Sequence, residues 1–290
     1  MLKSKTVDNI MKYLMIKVGH MEINYGDQHF RRSDNGRANY NPFVGNYIMD
    51  AFNTEIGGEV YFRTNGFLAM VGLTNGEIKG NLSDNEDRGF ATYFKAGWDG
   101  QLGDNIRARL TGSMYMAESS RNLLYSADRT GSRYYYVMVE DGEADNFRAG
   151  HFDPGFSKSV TAISINPFVK AGGLEFFGTY EMVTGANSTA DGTEDGSYSQ
   201  LAAEVLYRFL NNESMYIGGR YNMVSGYGTN QTSDNEVSID RIQVAWGWYL
   251  NKYILLKAEY MMQNYNDFPE ASVFNEGSFS GGMLEAVVAF

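Results

Sequence analysis

Apolar and polar positions alternate with a period of two along nearly the whole chain. A strand sends successive side chains to opposite faces, so this period predicts strands with one apolar and one polar face. About twelve such runs can be read: Tyr13–His20, Thr54–Arg63, Phe67–Thr74, Phe90–Trp98, Ile106–Met116, Val160–Lys170, Leu174–Val183, Tyr198–Leu210, Met215–Val224, Val237–Leu250, Tyr253–Gln263 and a last run from near Gly277. Some of the punctuation between them is equally specific. Asn65-Gly66, between the second and third runs, has the residue chemistry of a tight hairpin turn.

The predicted connections alternate in length. Short turns join strands two to three, four to five, six to seven, eight to nine and ten to eleven. Long polar loops occupy 21–53, 77–89, 117–159, 184–197, 225–236 and 264–276. Short turns at one end and long loops at the other describe an all-β, antiparallel up-and-down transmembrane barrel. The whole chain, 1–290, then forms a single domain.

The two faces carry different chemistry. One face holds Ile56, Val60, Phe62, Phe94, Ala96, Trp98, Leu174, Phe176, Tyr180, Met182, Leu201, Val205, Tyr207, Val244, Trp246, Trp248, Leu256, Tyr260 and Met262, and no charge. The other holds Glu55, Glu59, Arg63, Lys95, Arg107, Arg109, Glu175, Glu181, Glu204, Arg208, Arg220, Arg241, Lys257, Glu259 and Glu285. Size decides which face points inward. About eight strands make a barrel that side chains can just fill, so twelve would leave an apolar interior partly empty. The charged face is therefore expected to line a wet lumen, and the apolar face to meet lipid. An Arg or Lys on the lipid side near the midplane would cost roughly 2–4 kcal/mol. Trp98, Trp246, Trp248, Tyr249 and Tyr253 stand near strand ends, where interfacial girdles place such rings.

Composition refines this picture. The sequence has 33 Gly and 21 Tyr but only 4 Pro, a balance suited to strands and turns. No cysteine is present, so neither disulfides nor thiolate metal sites can form. The formal net charge of −11 argues against a nucleic-acid partner. The mean hydropathy of −0.37 is no obstacle to a barrel whose strands are apolar on one face only. No apolar stretch is long enough for a transmembrane helix, and Asp8 and Lys12 interrupt the N-terminal run, which does not read as a secretory signal.

The chain ends GGMLEAVVAF, an alternating strand closed by Phe290. This resembles the C-terminal signature of Gram-negative outer-membrane barrels. The resemblance implies outer-membrane lipid as the surroundings, and Phe290 as a signal read by the barrel-assembly machinery. Residues 21–53 are the most distinctive stretch, with Arg31, Arg32 and Arg37 near His29, Asp27 and Asp34. They also include the apolar residues Phe43, Val44, Tyr47, Ile48, Met49 and Phe52, more than a surface loop requires. Two arrangements are open. The loop folds into the barrel as a constriction whose arginines could contact anions, or it is a surface loop tied down by its own aromatics. With the preceding MIKVGHMEINYGDQHF, the stretch resembles porins of the phosphate-selective O and P type. That family implies a longer barrel, of about sixteen strands. It also implies lysine rings, and no lysine ladder is found here, so phosphate specificity is not carried over. The shorter barrel leaves two readings: a frame that has lost its leader and first strands, or a mature form with an added Met.

The expected function is a passive channel, without cofactor or metal, for small hydrophilic solutes or ions, with a homo-trimer as one assembly option. The lumen list is nearly balanced, with eight basic and seven acidic positions. Acidic loops at Asp84, Glu86, Asp87, Glu140, Asp141, Glu143, Asp145, Asp191, Glu194 and Asp195 suggest weak cation preference at most. A non-conducting binding or structural barrel (adhesin, receptor or assembly partner) is the alternative, with Arg133–Val139 as its partner surface. The same segment could be a hairpin strand or a lumen plug. An enzyme is not expected, because neither Asp27-Gln28-His29 nor His151-Phe152-Asp153 shows an ordered third member. Residues Asp191 to Gly196 depart too far from an EF-hand loop to hold calcium.

Overall fold

At the tip of the second hairpin, Asn65 and Gly66 both take positive φ, 47° and 83°. Positive φ at both central residues is what a two-residue hairpin turn of matching twist demands, and Asn-Gly meets the demand with little strain. The structure, a computed structural model, describes residues 9–33, 36–77, 88–119, 124–125, 137–140, 142, 149–156, 158–189, 192–228 and 236–290. Asp34, Asp84, Glu86, Asp87, Arg133–Tyr136, Asp141, Glu143, Asp145 and Asp191, which entered the sequence reading, lie outside the described residues.

Among the described residues, twelve strands form one antiparallel sheet in chain order. They are β1 (Leu14–Glu22), β2 (Thr54–Thr64), β3 (Phe67–Glu77), β4 (Arg88–Gly103), β5 (Ile106–Ser119), β6 (Ser159–Ala171), β7 (Leu174–Thr189), β8 (Gly192–Phe209), β9 (Met215–Tyr227), β10 (Val237–Asn251), β11 (Ile254–Asn266) and β12 (Ser278–Val288). Each pairs with its sequence neighbours, and β1 and β12 are the two edges. This is the up-and-down topology that the period-two pattern predicts. Short 3-10 turns occur at Gln28–Phe30 and Asn211–Glu213. No helix among the described residues is long and apolar enough to cross a membrane, which says nothing about strands.

The sheet curls with its charged face inward. Along β2, Glu55, Glu59 and Tyr61 are buried while Ile56, Val60 and Phe62 are exposed. The same division runs through β8, with Gln200, Ala202, Glu204 and Leu206 inside and Leu201, Val205 and Tyr207 outside. A soluble barrel would reverse these faces. An exposed apolar belt around a buried polar interior is the pattern that lipid imposes.

Two expectations change. The predicted loop 184–197 is mostly strand: β7 and β8 continue as a ladder through Ala186↔Asp195, Ser188↔Thr193 and Thr189↔Gly192. Its Gly, Asn, Asp, Ser and Thr read as a loop, yet backbone pairing in a two-stranded extension needs no apolar side chains. With 16 and 18 residues, these strands exceed the about 9–11 needed to span a bilayer. The aromatic girdle also loses a member. Tyr249 turns inward and its hydroxyl donates to the Asn39 carbonyl at 3.2 Å, because odd-numbered positions of β10 face the lumen.

Candidate functional site

The segment from Ile23 to Asn53 leaves β1 and enters the barrel. Every residue from Asn41 to Asn53 is buried. Of the two arrangements open in the sequence, the inward fold is the one adopted. Its apolar residues pack under the walls, with Phe43 against Tyr216 and Leu255, and Tyr47 against Phe177 and Ala202.

Backbone groups of an irregular segment cannot stay unpaired in a water-poor interior. The lumenal polar side chains satisfy them. Val44 N–H donates to Glu259 at 2.7 Å, and Gly45 N–H reaches the same carboxylate. Ile48 N–H donates to Asn222 at 2.8 Å. Gln200 both accepts from Met49 N–H and donates to its carbonyl, at 3.0 and 2.7 Å. Arg241 donates to the carbonyls of Asn46 and Gly150, and Lys257 to that of Phe43. The longest predicted loop contributes to the filling too: Phe152 N–H donates to the Ile48 carbonyl at 2.7 Å, and Phe52 N–H to that of Leu124 at 2.8 Å.

The buried charges are compensated in layers. Glu204 on β8 faces Arg220 on β9 in direct register, with the Arg220 Nε donating at 2.8 Å. Arg31 reaches Glu204 at 2.9 Å and Glu175 at 3.2 Å, and Arg208 also reaches Glu175, at 3.0 Å. Lys257 and Glu285 form a cross-strand ion pair between β11 and β12. Arg220 also stacks over Phe43 and Tyr47, with centroid distances of 4.1 and 4.4 Å.

Tyrosines are the largest feature missed from sequence. Tyr61 and Tyr93 donate to Glu59, Tyr115 to Glu55, Tyr125 to Glu181 and Tyr47 to Glu204. Glu204 also meets Arg31 and Arg220, and Glu59 meets Lys17 at 3.1 Å. The signal available was parity: Tyr61, Tyr93 and Tyr115 occupy the same alternate positions as the lumenal charges.

Asp27 and His29, paired by spacing in the sequence, go to different partners. Asp27 accepts two hydrogen bonds from Arg109, at 2.7 and 2.9 Å, one from Thr111, and meets Lys95 at 2.7 Å. Burial alone would raise its pKa; Arg109 and Lys95 outweigh burial and hold the carboxyl well below its usual range. His29 Nδ1 lies 2.5 Å from Glu22. Burial pushes its pKa down to about 4, against the opposing pull of Glu22. At neutral pH the imidazole is therefore uncharged.

The three loop arginines separate. Arg32 is buried against Asp50 and the Phe52 ring. Arg37 pairs with Glu22 at 2.7 Å and lies over Phe30. Arg31 borders the space at the short-turn end. That space is a cavity of about 840 Å³ at the short-turn end, where Arg63, Arg107, Arg109, Asp99 and Phe168 also line it. Arg63 and Arg107 are exposed, so these two sit at a mouth rather than deep in the lumen as the sequence list implied. Glu55, Glu59, Lys95, Glu175, Glu181, Glu204, Arg220, Arg241, Lys257 and Glu259 are buried on the inner face, and Arg109, Arg208 and Glu285 are half-buried. Phe290 lies beyond β12 and is exposed. No cluster among the described residues has the make-up of a metal site.

The fold and this charged, segment-filled interior define the class: an outer-membrane β-barrel. Solved structures agree at the level of fold. OmpT of Vibrio cholerae, expressed in the outer membrane, matches with a TM-score of 0.54 and 9% identity over 95% of this chain and 77% of that one. Its in-vitro folded trimer form matches with a TM-score of 0.54 and 10% identity, over 95% and 77%. A loop L8 deletion mutant matches with a TM-score of 0.52 and 10% identity, over 95% and 76%. No family model matches the chain, and no curated protein does. The likeness to phosphate-selective porins is thus met only at the level of an outer-membrane barrel.

These findings correct one expectation. An enzyme is not expected from the sequence, because neither Asp–His pair shows an ordered third member. That expectation falls: the matched barrels are OmpT proteins, whose likeness carries the fold and no exclusion of catalysis. His29, moreover, does have an ordered carboxylate in Glu22.

Proposed function

We propose that this chain is a passive channel of the Gram-negative outer membrane, of porin type, for small hydrophilic solutes, with the segment from Ile23 to Asn53 as its constriction. The observation that carries the reading is that segment itself, folded inward and held by side chains from β2 to β11. A wide barrel with a charged interior passes water and solutes, and a segment folded across it sets the size limit. Glu55, Glu59, Lys95, Arg109, Glu175, Glu181, Glu204, Arg208, Arg220, Arg241, Lys257, Glu259 and Glu285 are the proposed lumenal ring positions, with Arg63 and Arg107 at the mouth. Trimer assembly is part of the proposal, and one matched OmpT is described as a trimer form.

The test is osmotic swelling of liposomes that hold the refolded protein. Swelling with small sugars that falls off steeply with solute size supports a constricted channel. Burial of the whole stretch from Asn41 to Asn53 favours a second reading, a plugged binding barrel. That barrel would give no swelling with any solute.

A further inference from the structure

The cavity at the short-turn end has a charge opposite to that of the chain. Its lining contains five cations, Arg31, Arg63, Arg107, Arg109 and Lys12, and two carboxylates, Asp27 and Asp99. The whole chain carries a formal charge of −11. A basic wall in so acidic a protein is a local arrangement, since the average composition would give the reverse sign.

Most of these cations are already engaged. Arg109 is bound by Asp27, and Arg107 donates to Asp99 at 2.8 and 2.6 Å. Arg31 turns back to Glu175 and Glu204 behind the wall. Arg63 differs. It meets no carboxylate among the described residues, and its guanidinium stands 5.0 Å from the Tyr61 ring centroid. Among the described residues Lys12 makes a single side-chain hydrogen bond, to Asn9. Among the described residues, one guanidinium and one ammonium therefore face the cavity without a counter-charge, enough to hold one anionic group.

The rest of the lining is aromatic. Phe30, Phe168 and Phe177 border the same space, while Phe67, opposite Trp98, stands at its outward rim. Arg31 lies over Phe177 at 4.6 Å and Arg107 over Phe168 at 5.8 Å, so ring stacking fixes the orientation of two guanidiniums. A bare inorganic anion would leave this apolar surface unused. A volume of about 840 Å³ lies within the range of small-molecule sites.

We propose that this vestibule binds aromatic monocarboxylates, the carboxylate between Arg63 and Lys12 and the ring against the phenylalanines. This rests on the channel reading only for its role as a waystation for solute; the binding itself does not depend on a pore. A solute leaving the constriction toward the short-turn, periplasmic side would meet a site that balances its charge.

Calorimetric titration of the refolded, detergent-solubilised protein tests the site directly. The probes are benzoate, its neutral analogue benzamide and inorganic phosphate. Benzoate is expected to bind at least about tenfold more tightly than either of the others, and Arg63→Ala to weaken benzoate about tenfold, the scale of a lost charge-assisted hydrogen bond. Phe30→Ala, with Arg63 intact, is expected to weaken benzoate and leave phosphate unchanged. Heat-modifiable gel mobility shows that each variant is folded. Equal binding of benzoate and benzamide, tighter binding of phosphate, or benzoate binding indifferent to Arg63→Ala overturns the proposal. The two readings fail separately: benzoate binding without conductance ends the channel reading, and conductance without benzoate binding ends this one.

Discussion

At the scale of the residue, His29 and Glu204 show how the interior is held. His29 has its pKa lowered from 6.5 to about 4, so the folded state prefers it uncharged. An unfolded chain gains a proton there as pH falls below about 6.5, while the folded chain does not until about 4. The contribution is present above the unfolded pKa and is lost as pH falls across that window. Thermal melts from pH 7 to pH 4.5 should therefore show falling stability, and His29→Gln should flatten that part of the profile. An unchanged slope would refute this account of His29. Glu204 supplies a second check. Arg220→Met removes its register partner and strands a buried carboxylate, a loss of about 3 kcal/mol, at the low end of the range for broken buried pairs. Arg31 keeps the loss from being larger, because it still reaches Glu204 at 2.9 Å. Denaturant unfolding of the refolded barrel measures it, and the double variant Arg220→Met, Glu204→Leu should recover much of the stability. Parity along the strands made Glu204 and Arg220 legible as inward residues. Nothing in the sequence tied Tyr47 to Glu204 or His29 to Glu22, because those pairings depend on the path of an irregular segment.

At the scale of the element, alternation was a reliable guide wherever one face meets lipid and the other meets charge. It failed in the β7–β8 extension, where backbone pairing continues among small polar residues and neither face has to be apolar. Two substitutions test the assigned faces. Val205 lies within the outward apolar run of β8, and Val205→Arg should cost roughly 2–4 kcal/mol and reduce the yield of refolded barrel. The same substitution would be far cheaper if that face were wet. Gly247 sits directly opposite Tyr216 in the β9–β10 register, and a Cβ there would enter the Tyr216 ring. Gly247→Val should push that ring off the Pro42 carbonyl, to which it donates at 2.8 Å, and destabilise the barrel by about 1–3 kcal/mol. A fluorescence-monitored urea titration reads this loss. The first long segment was legible as unusual, from its apolar residues, but the sequence could not choose its inward path. The choice depends on carboxylates, amides and arginines spread over β2 to β11, which no local pattern connects.

At the scale of the whole molecule, the ends differ in charge. The short-turn end presents the basic vestibule, while Glu194, Asp195, Asp240 and Glu276 stand toward the other end. Between them lies an interior whose charges are largely matched inside the barrel. Such a molecule should conduct in small steps, limited by the inward segment, with weak ion selectivity from its opposed mouths. The most direct test is single-channel recording from the refolded protein in planar bilayers under a salt gradient, beside a variant whose inward segment is loosened by Arg241→Ser and Glu259→Gln. The account predicts small, stable open steps in the parent, larger or flickering steps in the variant, and a reversal potential close to zero. Folded protein, identified by its heat-modifiable mobility, that never conducts in either form would contradict it.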